Sequence, residues 1–366
     1  MNYRFTPVVE NLPSTVPFVG PEAQERQRGV QFRARIGANE SVFGPSPKAV
    51  RAMQQEALQV WKYGDPENHD LKEALGAHHG IAPDNIVVGE GIDGLFGYTA
   101  RLFVSPGVPV ATSLGAYPTF NYQVAACGGQ ITTVPYRDDR EDPDALLALT
   151  REHRAPLVYL ANPDNPMGSW WDAADVQRMI ENLPDGAVLC LDEAYGDFAP
   201  AGTLPEIDVT DSRLLRFRTF SKAHGLAGCR IGYAIGEAQL IKSFDKLRNH
   251  FGVNRLAQAG ALASLADREH LHEVVHKVAR ARERIAAIAQ ENQLRPLPSA
   301  ANFMAIDCGR DGDYAGRVVA ELIARNVFVR MPGVAPLNRC IRVSAGTDDD
   351  LRVLAMALPP ALQAAR

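Results

Sequence analysis

Seven short apolar runs recur through the middle of the chain, at residues 86–88, 108–111, 131–134, 157–160, 187–191, 214–217 and 231–235. Each is too brief for a buried helix and lacks the alternation of a strand with one wet face. Runs of this kind are strands covered on both sides, and helical stretches such as 173–182 separate several of them. Covered strands joined through helices need crossover connections, so the order predicts a doubly wound α/β fold with a mostly parallel sheet. Ser46 before Pro47 reads as an N-cap with proline at the first helical position, opening an amphipathic helix over 48–60. A second helix over 70–79 closes on Gly80.

After residue 255 the pattern changes to a long helix over 270–290, shorter strands at 302–306, 327–330 and 340–343, and a closing helix from Asp348. The expected division is an N-terminal arm plus part of a small domain over 1–45, a large domain over 46–255 and a small α+β domain over 256–366. The arm, with proline at 7, 13, 17 and 21, is expected to be extended. A chain of 366 residues, 46% of them hydrophobic, can bury cores for both domains. A net charge of −5 with Lys and Arg scattered gives no footprint for nucleic acid or an anionic membrane. Cys127, Cys190, Cys229, Cys308 and Cys340 are odd in number, far apart and without a C-x-x-C pair. That argues against a disulfide framework or a metal site and suits a reducing cytoplasm. No stretch approaches the ~18 to 20 apolar residues of a membrane span, and a soluble cytoplasmic protein is expected.

Three segments carry the chemistry: Asn162-Pro163-Asp164-Asn165-Pro166-Met167-Gly168, Leu191-Asp192-Glu193-Ala194-Tyr195, and Thr219-Phe220-Ser221-Lys222. The last runs on through Gly225-Leu226-Ala227-Gly228 to Arg230. Each follows a predicted strand, where ligand-binding loops of an open α/β sheet gather. Taken singly, each has an ordinary structural reading: an Asp after a strand is often a cap, and a Ser-Lys pair is usually surface. In this order they resemble the fold-type I pyridoxal phosphate (PLP) enzymes, and among them the class I/II aminotransferases of the histidinol-phosphate aminotransferase branch. The resemblance runs from Asn39-Glu40 to Arg342.

It implies a large, mostly parallel α/β/α sheet domain, a smaller α+β domain, and PLP held by Lys222 as a Schiff base. A lysine made less basic by neighbouring positive charge can form that imine and later shuttle a proton. Asp192 matches the carboxylate that keeps the pyridine nitrogen protonated. Tyr195 and Asn165 match the pair on the ring's O3′, Asn165 also reaching the substrate carboxylate. Arg230 matches the fork on the cofactor phosphate, with the hydroxyls of Thr219 and Ser221. Gly91-Ile92-Asp93-Gly94 would add backbone N–H groups at a helix N-terminus. Ile92 stands where relatives often have a smaller residue, a departure the main chain tolerates. Phe120, in Tyr117-Pro118-Thr119-Phe120, is expected to stack on the pyridine ring. Tyr63 matches a tyrosine reaching the phosphate from a neighbouring subunit, which implies a homodimer with shared sites. Arg342 matches the grip on the substrate α-carboxylate, ahead of Arg339.

Substrate choice is less sharply marked. Pro17-Phe18 replaces the Pro-Tyr step that helps hold a substrate phosphate in that branch. Arg330 matches a phosphate-binding arginine and equally reads as a strand-end charge. Met167 replaces the usual Thr, and Trp170-Trp171 would suit an apolar or aromatic substrate if at the pocket mouth, or a core if not. His69 reads as a helix start. The expected reaction is amino transfer from an amino acid or histidinol-phosphate-like donor to a 2-oxo acid such as 2-oxoglutarate, in a ping-pong cycle of amino-acid biosynthesis. The same site could support oxidation, decarboxylation or elimination. A non-catalytic PLP-binding module is opposed by the intact set of Lys222, Asp192, Tyr195, Asn165 and Arg230.

Overall fold

The computed structural model describes residues 3–14 and 18–366. Among the described residues twelve strands succeed one another: β1 (Ala34–Arg35), β2 (Ile86–Gly89), β3 (Pro109–Ser113), β4 (Gln130–Val134), β5 (Leu157–Ala161) and β6 (Val188–Asp192), then β7 (Leu214–Thr219), β8 (Gly232–Gly236), β9 (Arg295–Pro296), β10 (Phe303–Asp307), β11 (Val327–Phe328) and β12 (Cys340–Ser344). The seven apolar runs form one sheet in the order β2-β8-β7-β6-β5-β3-β4. Neighbours pair in parallel except β8, which is antiparallel to both β2 and β7. The exception has a covalent cause. A short loop, and no crossover helix, joins β7 to β8, so the chain turns back on itself.

Helices cover both faces. Phe96, Phe120, Tyr159 and Phe217 pack on one side, and Leu146, Val158, Val176 and Leu191 on the other. Local chemistry sets the helix starts. Ser46 Oγ accepts from the N–H of Lys48 and Ala49 at 3.1 and 3.4 Å, opening Pro47–Glu56. That helix tightens into a 3-10 turn at Ala57–Gln59 rather than running to 60. Gly80, left-handed at φ 70°, closes His69–His79 as expected.

A second core forms around the antiparallel sheet β12-β10-β9. The long helix Arg268–Glu291 and the closing helix Asp348–Ala364 pack there through Val274, Ile285, Leu354 and Leu358, against Phe303 and Ile306. The arm departs from its extended expectation. Pro7 and Pro21 each start a short helix, Pro7–Glu10 and Pro21–Arg28, because a missing N–H costs nothing at the first helical position. Further on, β1 pairs in parallel with β11, Ala34 opposite Val327, tying the arm to the C-terminal core. β11 itself spans two residues, and Arg330 lies beyond it in an isolated bridge to Arg342.

Candidate active site

The C-terminal ends of β5, β6 and β7 open onto a cavity of about 770 Å³, closed on the far side by Arg330, Met331 and Arg342. Asp192, Asn165, Tyr195, Thr219, Ser221, Lys222, Arg230, Arg330, Arg342, Ile92 and Asp93 all line it. A doubly wound sheet gathers such side chains from distant segments because its parallel strands all end on one edge.

Lys222 follows β7, and its Nζ donates to the carbonyl of Asn39 at 3.1 Å. Burial first, then the guanidinium of Arg342, bring its amine down to about 8, with Asp93 opposing and Arg230 adding to the effect. Asp192 ends β6 and is buried; it accepts from the Tyr159 hydroxyl at 2.8 Å and the Ala194 N–H at 2.9 Å. Burial pushes its carboxyl up to about 6 against those two hydrogen bonds. Asp192 therefore stays ionised above about 6, where it can balance a buried cation.

The Tyr195 oxygen receives two amides, Nδ2 of Asn39 at 3.0 Å and of Asn165 at 3.4 Å. Asn165 Oδ1 in turn accepts from Arg342 Nη1 at 2.6 Å. Arg342 projects from β12 with its ring-side face 5.2 Å from the Phe303 centroid, and its buried Nε has no partner among the described residues. Burial lowers its proton affinity. A buried, incompletely satisfied guanidinium is a costly feature that a bound carboxylate would relieve.

A third group lies at the start of the helix Gly91–Phe103. Gly91 has φ +76°, and a Cβ there would stand 2.6 Å from Arg230 Nη2, so the chain needs glycine to let the guanidinium approach. Arg230 donates to the Ala227 carbonyl at 3.2 Å and to Asp93 at 3.3 Å, with Ser221 Oγ at 3.5 Å. Thr219 Oγ1 accepts from the Ser221 N–H at 3.0 Å. Guanidinium, hydroxyls and helix N–H groups together offer donors suited to an anion such as a phosphate. Ile92 and Asp93 form its wall, whereas Gly91 and Gly94 sit behind it in the helix's first turn.

Some of the remaining candidate residues fall where expected and others do not. Phe120 is fully buried, stacked on Tyr159 at 4.6 Å and edge-on to Phe96, and does not reach the cavity. Tyr117 does, donating from its hydroxyl to Asp93 at 3.0 Å. The helix starts at Pro118, so Phe120 falls on its inner face while Tyr117, its N-cap, stays in the loop that follows β3. The Tyr-Pro step was the available signal. Trp171 donates to the Glu141 carbonyl at 2.8 Å and lies beneath Arg140; neither it nor Trp170 lines the cavity. Met167 is core, packed with Leu297 and Leu337. Tyr63 is exposed on the surface against Phe251, away from this chain's own cavity. Arg339 is engaged by Asp139 and Asp307. Arg330 reaches the cavity, donating to the Val19 carbonyl at 2.9 Å, with Phe18 5.4 Å away under its guanidinium. Pro17 lies outside the described residues. His69 starts a helix and takes no part in the cavity. Asn39, to which the sequence attached no role, touches both Tyr195 and Lys222.

Known proteins share this fold. The family model for aminotransferase class I and II matches residues 35–358. Histidinol-phosphate aminotransferase 2 of Carboxydothermus hydrogenoformans is 33% identical over 343 residues, 93% of this chain and 94% of the relative. The crystal structure of histidinol-phosphate aminotransferase from Sinorhizobium meliloti, in complex with pyridoxal-5'-phosphate, is 54% identical. It superimposes with a TM-score of 0.98, covering 100% of this chain and 99% of that one. Aspartate aminotransferase from Rhizobium meliloti shares the fold at 19% identity, with a TM-score of 0.82 over 99% of both chains. With the family model spanning nearly the whole chain and the site lying at its strand ends, the chain belongs to the class I and II aminotransferase family.

Proposed function

We propose that the chain is a PLP-dependent aminotransferase whose donor is an amino acid or a histidinol-phosphate-like amine and whose acceptor is a 2-oxo acid such as 2-oxoglutarate. One observation carries this reading. An amine of lowered basicity, a buried carboxylate and a guanidinium at a helix N-terminus converge in one cavity, where they suit the aldehyde, ring nitrogen and phosphate of the coenzyme. The glycine cradle at Gly91 and the unsatisfied Arg342 Nε fit the same picture, the first for a phosphate, the second for a substrate carboxylate.

When bound, the coenzyme supplies an aldehyde that condenses with amines and a ring that takes up the electron pair released at the donor carbon. This chain's residues do the rest. Lys222 would hold the aldehyde through its amine, and the same amine, when free, would move a proton at the reacting carbon. Asp192 would hold a proton at the ring nitrogen, Tyr195 and Asn165 would donate at the ring oxygen, and Tyr117 would pack beside the ring. Arg230, Ser221, Thr219 and the N–H groups of Ile92 and Asp93 bind the phosphate. Arg342 and Asn165 orient the donor's carboxylate, and Arg330 a more distant anion. Releasing the oxo product before the acceptor enters gives a ping-pong cycle, placed by its substrates in amino-acid biosynthesis.

The cysteines are all unpaired and, among the described residues, no helix is long and apolar enough to cross a membrane, which suits a cytoplasmic enzyme. The division into 1–45, 46–255 and 256–366, and a homodimer sharing its sites through Tyr63, belong to the same proposal. Purified protein loaded with PLP should absorb in the visible range and lose that band when a donor is added without an acceptor. Lys222→Ala should abolish the pH-dependent tether spectrum; an unchanged spectrum would refute the assignment. Oxygen uptake and CO₂ release, followed across a donor panel, should stay at background. Arg330→Ala should weaken phosphorylated donors far more than unphosphorylated ones, and equal losses would remove Arg330 from substrate recognition.

A further inference from the structure

Asn39 is buried at the cavity wall with a left-handed backbone, φ 57°. Residues other than glycine rarely adopt that conformation, and asparagine tolerates it better than most. All of its polar groups are engaged. The backbone N–H donates to Ser344 Oγ at 3.0 Å, and Ser344 Oγ donates back to Asn39 Oδ1 at 3.0 Å. The carbonyl accepts from Lys222 Nζ and from Asn302 Nδ2, both at 3.1 Å.

This pattern fixes which way the amide faces. The Ser344 oxygen already accepts from the Asn39 main chain, so its proton points at Oδ1, and Nδ2 must face Tyr195, 3.0 Å away. An amide nitrogen only donates. Asn165 is oriented likewise, because Arg342 occupies its Oδ1 and leaves its Nδ2 toward the same phenol. With two donors on its oxygen, the Tyr195 hydroxyl turns its own proton away from both and into the cavity it lines. Ser344 sits two positions beyond Arg342 on β12, so Asn39 joins the carboxylate-binding strand, the phenol and the lysine.

We propose that Asn39 is a positioning residue of the transfer reaction: its amide aims the Tyr195 hydroxyl at the coenzyme's ring oxygen, and its carbonyl holds the Lys222 amine when the tether is open. The proposal rests on the coenzyme reading above. It acts through Tyr195, which separates it from a purely structural role. A phenol that accepts two hydrogen bonds is a stronger donor, and donation to the ring oxygen draws negative charge from the tether's proton. Losing the Asn39 amide therefore lets that proton persist to higher pH.

The test is spectrophotometric titration of the PLP-loaded protein without substrate, beside steady-state kinetics. Asn39→Gly tolerates the left-handed backbone, keeps the carbonyl and removes the amide. The titration midpoint should rise by roughly half a unit or more, and kcat should fall about tenfold with the donor's KM little changed, the scale of one hydrogen bond to a charged centre. In a Tyr195→Phe background the same substitution should leave the midpoint where Tyr195→Phe alone puts it. If Asn39→Gly does not melt cooperatively, Asn39→Asp is read instead. It keeps the shape but replaces the donor by an acceptor, and the midpoint should move upward again. A wild-type midpoint in either folded variant, or shifts that add to those of Tyr195→Phe, would overturn the proposal. If the wild-type protein showed no pH-dependent coenzyme band at all, the coenzyme reading itself would fall, and this inference with it.

Discussion

Lys222 and Asp192 sit in one cavity, and burial moves both toward their neutral forms: the amine down to about 8, the carboxyl up to about 6. The consequences have opposite sign. In coenzyme-free protein the neutral, nucleophilic amine predominates above about 8, more than two units below an ordinary lysine. The rate at which added PLP forms its tether should therefore rise through a midpoint near 8; a midpoint near 10.5 would show Lys222 to be unshielded. Below about 6 Asp192 takes up a proton and can no longer balance a protonated ring nitrogen, so coenzyme affinity should fall as the pH drops through that value. Asp192→Asn removes the balancing charge at every pH. Its kcat should drop on the order of 10²–10³-fold, the cost of leaving one member of a buried ion pair alone. Cavity placement was legible where a residue lies in a short string after a strand, as Lys222, Asp192, Asn165 and Arg230 do. They were illegible where a helix start decides which of two aromatics faces inward, as with Tyr117 and Phe120. Asn39 escaped because its role comes from contacts with residues 156 and 305 positions away.

Strand alternation explains how β6 serves chemistry and stability at once. Asp192 faces the cavity, while Glu193, the next residue, turns to the opposite side and meets Arg216 of β7 at 2.6 Å and Arg218 at 2.9 Å. Both members of the first pair are essentially inaccessible, and Arg216 spends further donors on the carbonyls of Pro205 and Glu206. Glu193→Ala would strand two guanidinium groups and should cost about 3–5 kcal/mol in denaturant unfolding. The exposed pair of Glu22 and Arg35 is the control, and Glu22→Ala should cost no more than about 1 kcal/mol. Comparable losses from both would mean that Glu193 is not the anchor of β6 and β7. Element existence was readable from the apolar runs, since burial on both faces writes itself into composition. Direction was not, because a reversed β8 has the same composition as a parallel strand. The arm's helices were missed for a related reason: proline signals extension in mid-chain but a helix start at N1.

At the scale of the whole molecule, Leu58, Val60, Trp61, Tyr63 and Phe251 form a set of large exposed apolar side chains, with the Tyr63 ring tilted against Phe251 at 4.6 Å. Apolar side chains of this kind are costly to leave wet, and they are the surface on which the proposed dimer would close. A twofold pairing would place the same patch of each chain against its partner and carry each Tyr63 toward the other chain's phosphate cradle. Sharing has a signature that neither chain can produce alone. Lys222→Ala and Tyr63→Ala proteins, each impaired, are co-refolded so that chains exchange. In a mixed dimer one site then combines an intact Lys222 with an intact Tyr63 from the opposite chain, while the other site lacks both. Random pairing makes half the dimers mixed, with one working site in each, so activity should recover to about a quarter of the wild-type value. If Tyr63 served its own chain, no mixed dimer would hold an intact site. Activity would then stay at the mean of the two separate variants, and the shared-site dimer would have to be abandoned.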